Sequence, residues 1–380
     1  MAEQNPTSDF SHHFPILQTL DFLNHAAVAP ISAPAAEAMR AYVDQALTRS
    51  YVKARWYARA HEVRVAAARL IGARGPQEIA FIPNTTTGLA QVANGLGLGQ
   101  GDQVVITSVE YPANRSPWEH LARTRQVQLV QVPQHADGRI DVDQVCDAIT
   151  DRTRVVSVSH VQYASGYRME LKPISDMVHQ VGGYLCVDAI QSVGVCPVDV
   201  QAMGIDFLAA DGHKWMLGPE GCGLFYCHED LCPLLEPNVV GWMNMADAMS
   251  FGPYRYDLLS DARRFEPGTW NVPGMLALGA SLDLLNAVGI DTIWSRVEAL
   301  TAHLEAGLER KGYRLFSPRR YAHERSGIVT FEKEGVDPKP LARQLERGGI
   351  ILAMRDGRLR ASPHFYNTLA QMDRLVDALP

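Results

Sequence analysis

A lysine in a glycine-rich stretch is the residue of this chain whose type and setting most directly suggest covalent chemistry. Lys214 lies in ADGHKWMLGPEG, after the apolar run DFLAAD at 206–211 and before a turn rich in glycine and proline. A lysine amine in a dry pocket has a lowered pKa and can form an imine with an aldehyde. The alternative is an ordinary solvent-exposed loop lysine. The other motifs of the chain distinguish between these two interpretations.

A carboxylate closes a second strand-like run. Asp188 ends YLCVD at 184–188, and Gln191 follows it closely. A pyridine-ring cofactor such as pyridoxal 5′-phosphate needs a carboxylate against its ring nitrogen, because the protonated ring accepts the electrons of a substrate carbanion. Asp188 has the charge and the strand-end position for that task. Its alternative role is the N-cap of the following segment, AIQSVG.

A third motif favours a phosphate group. In FIPNTTTGLAQVANGL at 81–96, Asn84 to Thr87 precede an apolar helical run. Free backbone N–H groups and the positive end of a helix dipole attract a phosphate, and the hydroxyl groups add donors. Capping explains one threonine but not three, although a capped helix remains the alternative for this segment alone. Together with Lys214 and Asp188, the segment points to pyridoxal phosphate.

The elements that must position these residues follow an alternating pattern. Between about residues 75 and 230, short β-rich apolar runs alternate with helical patterns, which predicts an α/β domain with a largely parallel sheet. Ligands of such sheets bind beyond the carboxyl ends of the strands, so we expect function in the loops that follow them. The predicted strands are QVVITS at 103–108, VQLVQV at 127–132, RVVSVS at 154–159, YLCVD at 184–188 and DFLAAD at 206–211, and the loops are SVEYPAN, SHVQYASG, VDAIQS and ADGHKW.

The composition changes around Phe251–Pro273, where proline, glycine and tryptophan residues precede a long amphipathic helix pattern. We place a domain junction there. A strand-like SGIVTFE at 326–332 and a terminal helix pattern then indicate a smaller α+β domain. The predicted units are an N-terminal segment over residues 1–20, a large cofactor-binding domain over 21–262 and a small C-terminal domain over 263–380.

Charge and cysteine content exclude several classes of partner. The net charge is -7, and the 35 lysine and arginine residues are scattered, which disfavours nucleic acid and anionic membranes. The chain starts without a signal-like segment and contains no stretch of ~20 apolar residues, so we expect a cytoplasmic location.

The six cysteines lie mostly in apolar runs as free thiols. Three of them, Cys222, Cys227 and Cys232, lack the spacing of zinc ligands, so no metal is expected.

The glycine-rich run GLGLGQGD at 95–102 has neither the spacing nor the context of a dinucleotide-binding fingerprint, since it follows a helical pattern and precedes a strand. We interpret it as a helix cap and turn.

Six motifs that follow one another along the chain can be compared with known families. They are TTT, EYPANRSPW, VDAIQ, GHKWMLGPEG, RFEPGTWN and LRASPHFYNT. From about Phe22 to Ala378 the chain resembles the class V aminotransferase superfamily of fold type I pyridoxal phosphate enzymes. That superfamily includes cysteine desulfurases, selenocysteine lyases, cystine C–S lyases, kynureninase and isopenicillin N epimerase-like proteins. The resemblance implies a large domain with a mainly parallel sheet and a smaller α+β C-terminal domain.

The resemblance also assigns roles around the cofactor. It implies that Lys214 holds pyridoxal phosphate as a Schiff base, that Asp188 is the partner of the pyridine nitrogen, and that Gln191 donates to the phenolic oxygen. Tyr111 stands where desulfurases usually have a histidine stacked on the cofactor ring. A tyrosine ring is physically adequate for that stacking.

For the phosphate, the resemblance implies contacts from Thr85, Thr86 and His213. In this family the GTWN segment of one chain reaches the phosphate of the other, so Thr269 or Asn271 is expected to act on the partner subunit's cofactor. A homodimer with shared active sites is therefore implied.

Four residues are candidates for contact with a small amino-acid substrate. Arg360 is expected to bind its carboxylate as a bidentate fork, with a surface ion pair as the alternative. Tyr163 stands where desulfurases carry an asparagine that helps to hold the substrate. Trp242 either borders the substrate pocket or packs at a domain interface. His25 belongs to a segment expected to fold over the site, where a capping or packed histidine is the alternative.

Two departures from the desulfurases bear on the reaction. Desulfurases take sulfur onto a loop cysteine just before the carboxylate-binding arginine, but ILAMRDGRLRASP contains no cysteine. Asp211 stands where many relatives have a phosphate-contacting serine or threonine. Because a carboxylate repels a phosphate, we expect Asp211 to point away or to pair with a cation.

The resemblance leaves the fate of the substrate open. After Lys214 has removed the α-proton as general base, loss of a β-substituent, transfer of the amino group and epimerisation are all possible. Our preferred interpretation is β-elimination from a cysteine or cystine-type substrate. The alternatives are transamination to a 2-oxo acid, epimerisation with Tyr163 or His25 as a second acid/base, and a non-catalytic pyridoxal phosphate-binding module.

Overall fold

A seven-stranded sheet and a smaller four-stranded sheet organise the protein. The computed structural model describes residues 10–250, 252 and 255–380, so part of the predicted N-terminal segment 1–20 and part of the predicted junction lie outside the described residues. The strands are β1 (Asp21–Phe22), β2 (Ile79–Ile82), β3 (Gln103–Thr107), β4 (Gln128–Val132), β5 (Thr153–Ser159), β6 (Tyr184–Asp188), β7 (Phe207–Asp211), β8 (Gly223–Cys227), β9 (Arg314–Leu315), β10 (Val329–Glu332), β11 (Ile350–Ile351), β12 (Ala353–Arg355) and β13 (Arg358–Ala361).

Helices cover both faces of the large sheet and one side of the small one. The helices are α1 (Ala33–Arg49), α2 (Trp56–Leu70), α3 (Thr85–Gly95), α4 (Pro112–Arg125), α5 (Val142–Asp147), α6 (Lys172–Gln180), α7 (Val272–Val288), α8 (Ile290–Arg310), α9 (Pro338–Arg347) and α10 (Leu369–Ala378).

The large sheet has the order β2-β8-β7-β6-β5-β3-β4. Strands β7, β6, β5, β3 and β4 pair in parallel, whereas β8 runs antiparallel to both of its neighbours. The predicted mainly parallel α/β sheet is therefore confirmed. All five predicted strands are present. Four of them are almost entirely buried, as continuous runs of valine, leucine and isoleucine predict, whereas β4 is a partly exposed edge strand. Strands β2 and β8 were not predicted.

The carboxyl ends of the parallel strands meet along one edge of the sheet. There β3, β5, β6 and β7 end at Thr107, Ser159, Asp188 and Asp211. Helix α3 packs closely over this region, since a Cβ on Gly88 would stand 2.7 Å from the Cβ of Ala209. A side chain at that position would push the start of α3 away from the strand ends.

The run GLGLGQGD is a helix end and a turn, as predicted. Helix α3 ends at Gly95 and β3 begins at Gln103. Between them, Gly97 and Gly101 have positive φ angles of 67° and 97°, which a glycine adopts without steric cost.

The C-terminal part of the chain forms a four-stranded antiparallel sheet in the order β12-β13-β10-β9. The predicted strand-like SGIVTFE contains β10. A separate parallel pair joins β1 to β11, and Asn24 bridges to Ser362 just beyond it. The chain segment before α1 is therefore tied to the C-terminal part of the molecule before it reaches the large sheet.

The apolar cores bear on the predicted domain boundary. Helix α7 packs along α1 and α2, and its residues Met275 and Leu278 belong to the core of the large sheet. A separate core is formed by residues between Leu300 in α8 and Leu379, together with Leu23 from the N-terminal part of the chain. The division at 262/263 stays a prediction, and we propose from this packing that α7 belongs with the large domain.

Among the described residues, no single helix is both long and apolar enough to cross a membrane; α7 and α8 meet that criterion only as a pair, across a bend of 80°.

The turn that carries Lys214 rests on a glycine. Gly194 has a φ of 98°, and a Cβ there would stand 2.4 Å from the carbonyl oxygen of Trp215. We expect Gly194→Ala to lower the free energy of unfolding by about 2–4 kcal/mol, because backbone strain and a clash with backbone act together. Urea unfolding monitored by fluorescence measures this change.

Gly99→Ala is the matched control, since a Cβ at Gly99 meets nothing within 4 Å. It is expected to change the free energy of unfolding by about 0.5 kcal/mol or less. Equal losses in the two variants would contradict this account of the Lys214 turn.

Candidate active site

A cavity of about 300 Å³ opens at the carboxyl ends of the parallel strands. It brings together residues that are far apart in the sequence and that come from several loops. Of the predicted site residues, the cavity is lined by Thr85, Thr86, Tyr111, Tyr163, Asp188, Gln191, His213, Lys214 and Arg360.

Lys214 is held by a tight turn at the end of β7. Its carbonyl oxygen accepts a hydrogen bond from the N–H of Leu217 at 3.0 Å, and Gly218 N–H closes back onto Gly212 at 2.9 Å. Burial, with a smaller contribution from the positive charge of Arg360, lowers the pKa of Lys214 from 10.5 to about 8, while Asp188 opposes the shift. A fraction of the amine is therefore neutral near neutral pH, as a nucleophile or general base must be.

Asp188 ends the neighbouring strand β6 and is buried. Its Oδ1 accepts a hydrogen bond from Ile190 N–H at 3.1 Å. Burial, and then the negative charge of Glu110, raise the pKa of Asp188 from 3.8 to about 7, while Lys214 and the Ile190 hydrogen bond oppose the change. The structure thus holds a carboxylate of high proton affinity at the bottom of the cavity, which suits a partner for a protonated ring nitrogen.

The opposite end of the cavity is formed by the start of α3. Asn84 caps the helix by accepting a hydrogen bond from Thr87 N–H at 2.9 Å, and Thr85 and Thr86 form its first turn. The Thr85 hydroxyl oxygen accepts from Asp211 N–H at 3.0 Å, so its own proton is available to a ligand. Free N–H groups, a helix dipole and two hydroxyl groups make this end suitable for a phosphate.

Asp211 also lines this end, and its charge is compensated within its own loop. Gly212 N–H donates to Oδ1 at 2.7 Å, and Nδ1 of His213 lies 2.9 Å from Oδ2. The contact places an imidazole beside the Asp211 carboxylate, and the expected pairing of Asp211 with a cation stays a prediction. His213 is thereby held beside the threonines with its other ring nitrogen, Nε2, not used by Asp211.

Two tyrosines form one wall of the cavity. Tyr111 and Tyr163 make an edge-to-face contact with ring centroids 5.2 Å apart. The Lys214 Nζ lies 5.8 Å from the centre of the Tyr111 ring, so this ring faces the space next to the amine. Such a position allows stacking on a planar ring attached to Lys214.

Gln191 has a defined orientation. Its Oε1 accepts from the indole N–H of Trp215 at 2.8 Å, and its Nε2 donates to the carbonyl oxygen of Ala26 at 3.0 Å. Because the indole is only a donor, it fixes which end of the amide is oxygen. One N–H of Gln191 remains available to a ligand in the cavity.

Arg360 is almost fully buried, at 1% exposure, and only part of it is satisfied. Its Nη1 donates to the carbonyl oxygen of Tyr163 at 2.6 Å, whereas Nε and Nη2 have no hydrogen-bond partner among the residues that the structure describes. Burial, and then Arg355, lower the pKa of Arg360 to about 9, which leaves it charged at neutral pH. Two adjacent unpaired donors on one guanidinium match the two oxygens of a carboxylate.

Arg355 also lines the cavity and was not predicted. It ends β12, and a two-residue turn with positive φ at Asp356 and Gly357 leads into β13. In the paired strands Ala353 lies opposite Arg360, so Arg355 and Arg360 are on the same face. The dipeptide Asp-Gly is a hairpin signal, and it could have revealed this arrangement in advance.

The structure does not bring four predicted residues into this cavity. His25 is buried, with its ring nitrogens bonded to Ser362 O and to the Tyr366 hydroxyl, so its predicted substrate contact is replaced by packing. Trp242 lines a separate surface cavity of about 740 Å³. Thr269 and Asn271 line a third cavity of about 310 Å³, and Asn271 caps α7 by accepting from Gly274 N–H. Their predicted action on a partner's cofactor stays a prediction.

The cavity fits pyridoxal phosphate at each of its functional groups. A helix start with two free hydroxyl groups suits the phosphate, Asp188 the ring nitrogen, Tyr111 the ring face, and Lys214 the aldehyde. The unpaired donors of Arg360 lie beyond them, where a substrate carboxylate is needed.

Comparison with known proteins agrees with this geometry. A family model described as aminotransferase class-V matches residues 22–375. The chain is 33% identical to a probable cysteine desulfurase of Methanothermobacter thermautotrophicus, over 98% of this chain and 97% of the relative. The chain belongs to the class-V aminotransferase family. The resemblance inferred from the motifs is therefore confirmed, and this class-V aminotransferase family member is a pyridoxal phosphate-dependent enzyme.

Solved structures confirm fold type I. The apo structure of cysteine desulfurase from Thermococcus onnurineus NA1 matches this class-V family member with a TM-score of 0.88 at 27% identity, covering 99% of this chain and 98% of that one. A complex between the cystine C–S lyase C-DES and its reaction product cysteine persulfide matches with a TM-score of 0.87 at 23% identity, over 96% of this chain and 98% of that one. The second likeness concerns the fold.

The raised pKa of Asp188 gives the cofactor-free protein a specific pH dependence. Native Asp188 binds its proton more tightly than the unfolded chain does, so its contribution to stability is complete below about pH 4 and is lost as the pH rises through about 7. Between about pH 4 and pH 8, we expect wild type to lose about 2–4 kcal/mol of unfolding free energy relative to Asp188→Asn. Urea unfolding at the two pH values measures the difference.

Asp176→Asn serves as the control, because Asp176 is exposed on α6 and pairs with Lys172 on the same helix. The difference in unfolding free energy between this variant and wild type is expected to change by no more than about 0.5 kcal/mol over the same pH range. If the difference in unfolding free energy between wild type and Asp188→Asn is the same at both pH values, Asp188 does not hold a proton in the native cavity.

Proposed function

We propose that this enzyme catalyses β-elimination from a cysteine or cystine-type amino acid. The observation that carries the proposal is a cavity that combines Lys214, Asp188 and the two unpaired donors of Arg360, with no cysteine among its lining residues. All six cysteines are free thiols; five are buried and Cys146 is partly exposed. Sulfur leaving a substrate in this cavity therefore meets no thiol that could accept it.

The segment before Arg360 supports this reading. Where the desulfurases carry a cysteine-bearing loop, this chain makes the hairpin β12–β13 with a two-residue turn. A turn of that length closes directly and leaves no residues for an extended arm. The relatives named as cysteine desulfurase and cystine C–S lyase make a sulfur-containing amino acid the favoured substrate class.

The residues have separate tasks in the reaction. When bound, pyridoxal phosphate supplies an electron-accepting ring that stabilises negative charge on the substrate α-carbon. Arg360 holds the substrate carboxylate through Nε and Nη2 and so orients the Cα–H bond. With the cofactor bound, Asp188 would hold the proton of the ring nitrogen, and Tyr111 would cover a face of the ring. Lys214, once its amine is free, removes the α-proton as general base.

The bonds of the elimination balance without an oxidant. The Cα–H bond breaks towards the Lys214 amine, the Cβ–S bond breaks, and its electron pair leaves with sulfur, which takes up a proton. The remaining three-carbon enamine takes up water in solution and gives pyruvate and ammonia. Cysteine then yields sulfide, and cystine yields cysteine persulfide.

Transamination is the second candidate, because every residue that it requires is also present. Epimerisation would need a second acid/base on the far side of the cofactor. Of its two predicted candidates, His25 is held in a buried network, so Tyr163 alone reaches the cavity. Membership in an enzyme family argues against a non-catalytic module.

We also propose a homodimer with shared active sites. Exposed large apolar side chains concentrate in two stretches, residues 43–57 and 239–256, and Tyr57 and Trp242 both line the 740 Å³ surface cavity. Trp270, which contacts Tyr57 at 5.3 Å between ring centroids, joins this surface to the segment of Thr269 and Asn271. Such a patch is typical of a protein–protein interface. The exposed apolar residues in the two stretches are Val43, Leu47, Tyr51, Val52, Tyr57, Val239, Val240, Trp242, Met249 and Tyr256.

A cytoplasmic location is proposed on the six free thiols, which suit a reducing compartment.

Product analysis separates the candidate reactions. With cysteine or cystine and no added 2-oxo acid, we expect repeated turnover to pyruvate and ammonia in equal amounts, together with sulfide or persulfide. Lys214→Ala is expected to lower the rate by about 10³-fold or more, whereas Lys172→Ala, at an exposed side chain of α6, is expected to keep it. Accumulation of pyridoxamine phosphate without release of sulfur would establish transamination instead.

Mixed dimers test whether the sites are shared. Chains carrying Lys214→Ala and chains carrying Thr269→Ala with Asn271→Ala are each expected to be inactive alone. When they are co-expressed, one of the two sites in each mixed dimer is intact, so about a quarter of wild-type activity returns. Sedimentation velocity confirms the dimer. If the mixture stays inactive, Thr269 and Asn271 act within their own subunit.

A further inference from the structure

A buried carboxylate behind the cavity is not explained by the roles assigned so far. Glu110 precedes Tyr111 in the loop after β3 and is 5% exposed, yet no lysine or arginine is within ion-pair distance of it among the described residues. It does not line the cavity. A buried charge without a counter-ion is costly unless hydrogen bonds satisfy it, so its partners should reveal its role.

Five hydrogen bonds converge on this carboxylate. Oε1 accepts from the Thr107 hydroxyl at 2.7 Å, from Ser159 N–H at 3.1 Å and from Gln162 Nε2 at 3.0 Å. Oε2 accepts from Asn114 Nδ2 at 2.9 Å and from the Ser159 hydroxyl at 2.5 Å. Three of the five partners are N–H groups that donate to it, and the two hydroxyl groups are placed to donate as well, so the carboxylate serves as the acceptor of this network.

The direction of the Asn114 hydrogen bond is fixed by its neighbours. The indole N–H of Trp118 donates to Asn114 Oδ1 at 3.3 Å, and the Ser157 hydroxyl donates to the same oxygen at 2.5 Å. Because the indole cannot accept, the amide of Asn114 presents its N–H to Glu110 and cannot turn over without losing the Trp118 hydrogen bond. The Ser159 backbone N–H likewise donates only.

These partners lie in or next to two different active-site loops, since Thr107 ends β3, Asn114 is in the first turn of α4 and Ser159 ends β5. Thr107 and Asn114 flank Tyr111, whereas Ser159 and Gln162 precede Tyr163. Glu110 therefore connects the loop after β3 to the loop after β5, and the two tyrosines that form the cavity wall are carried by these loops. Their edge-to-face contact lies directly beyond this connection.

The same carboxylate lies behind Asp188. Ser159, which gives Glu110 two hydrogen bonds, is the register partner of Asp188 in the adjacent strand. The charged groups that act on Asp188 are Glu110, which raises its pKa, and Lys214, which opposes it. His160 N–H donates to the Asp188 carbonyl oxygen, and burial lowers the pKa of the His160 ring to about 3, so it adds no charge.

We propose that Glu110 is a positioning residue that ties the Tyr111 loop to the Tyr163 loop and places a second negative charge behind Asp188. The first effect fixes the ring that covers the cofactor. The second increases the affinity of Asp188 and the ring nitrogen for their shared proton. Both effects concern the cofactor site and are the same for elimination and transamination, so the proposal stands or falls independently of the reaction.

The test uses Glu110→Gln in the holoenzyme. Because Ser159 N–H requires an acceptor at Oε1, the new NH₂ group must face Asn114 Nδ2, where donor meets donor. The bonds to Ser159 N–H and Gln162 at Oε1 can remain, but the clash with Asn114 displaces the segment that carries Tyr111. With cofactor labelled by ¹⁵N at the ring nitrogen, the pH midpoint of its NMR shift is expected to fall by about one unit. The induced circular dichroism of the cofactor's visible band is expected to weaken as Tyr111 moves.

Glu78→Gln is the matched control. Glu78 is also fully buried and also satisfied by donors, the backbone N–H groups of Arg74 and Glu229, but it lies outside the active-site loops. This variant is expected to lose stability and to keep the wild-type midpoint and dichroism. Glu110→Asp retains the charge, so its pH midpoint is expected to lie close to that of wild type.

Ser159→Ala removes one of the five donors without removing the carboxylate, and it decides the matter if Glu110→Gln does not fold. A weakened dichroism band in this variant supports the proposal. The proposal is overturned if Glu110→Gln folds and keeps the wild-type dichroism and midpoint. If only Ser159→Ala folds, wild-type dichroism in that variant overturns it.

Discussion

The proximity of the Lys214 amine and the Asp188 carboxylate within one buried cavity is the constraint on which the rest of the structure depends. Burial lowers the pKa of the first and raises that of the second, so each group is made less stable in its charged form and more useful for proton transfer. The surrounding fold must offset that cost. It does so with strand ends that bring both groups to one edge of a rigid sheet, and with a tight glycine-dependent turn beneath Lys214.

The cavity is completed by chain segments from outside the large sheet. Ala26 receives a hydrogen bond from Gln191, and the adjacent His25 is anchored to Ser362 and Tyr366. Burial lowers the pKa of His25 well below its usual range, so the ring remains neutral and serves as a structural link. The N-terminal segment, the large sheet and the C-terminal sheet therefore meet around this cavity, and none of them forms it alone.

Two arginines give the site its polarity. Arg360 enters from β13 and Arg355 from β12, on one face of a hairpin whose small residue Ala353 leaves room between the strands. Arg358, on the same face, is neutralised by Glu332 at 2.8 Å. The positive charge of the hairpin is thus directed into the cavity, where a substrate carboxylate can use it, while the helix start on the opposite side provides for a phosphate.

The sequence by itself determined the family, the five parallel strands and most of the residues that line the cavity, because Lys214, Asp188, Thr85 and Tyr111 lie in short motifs at strand ends, where local pattern implies position. It did not reveal Arg355 or Glu110, whose roles depend on which strands become neighbours. Likewise, only the tertiary structure decided that His25 is packed and that Trp242, Thr269 and Asn271 lie outside the cavity. The physical reason is that periodicity and propensity report on one segment at a time, whereas a site's hydrogen bonds and charges are set between segments that are distant in the chain.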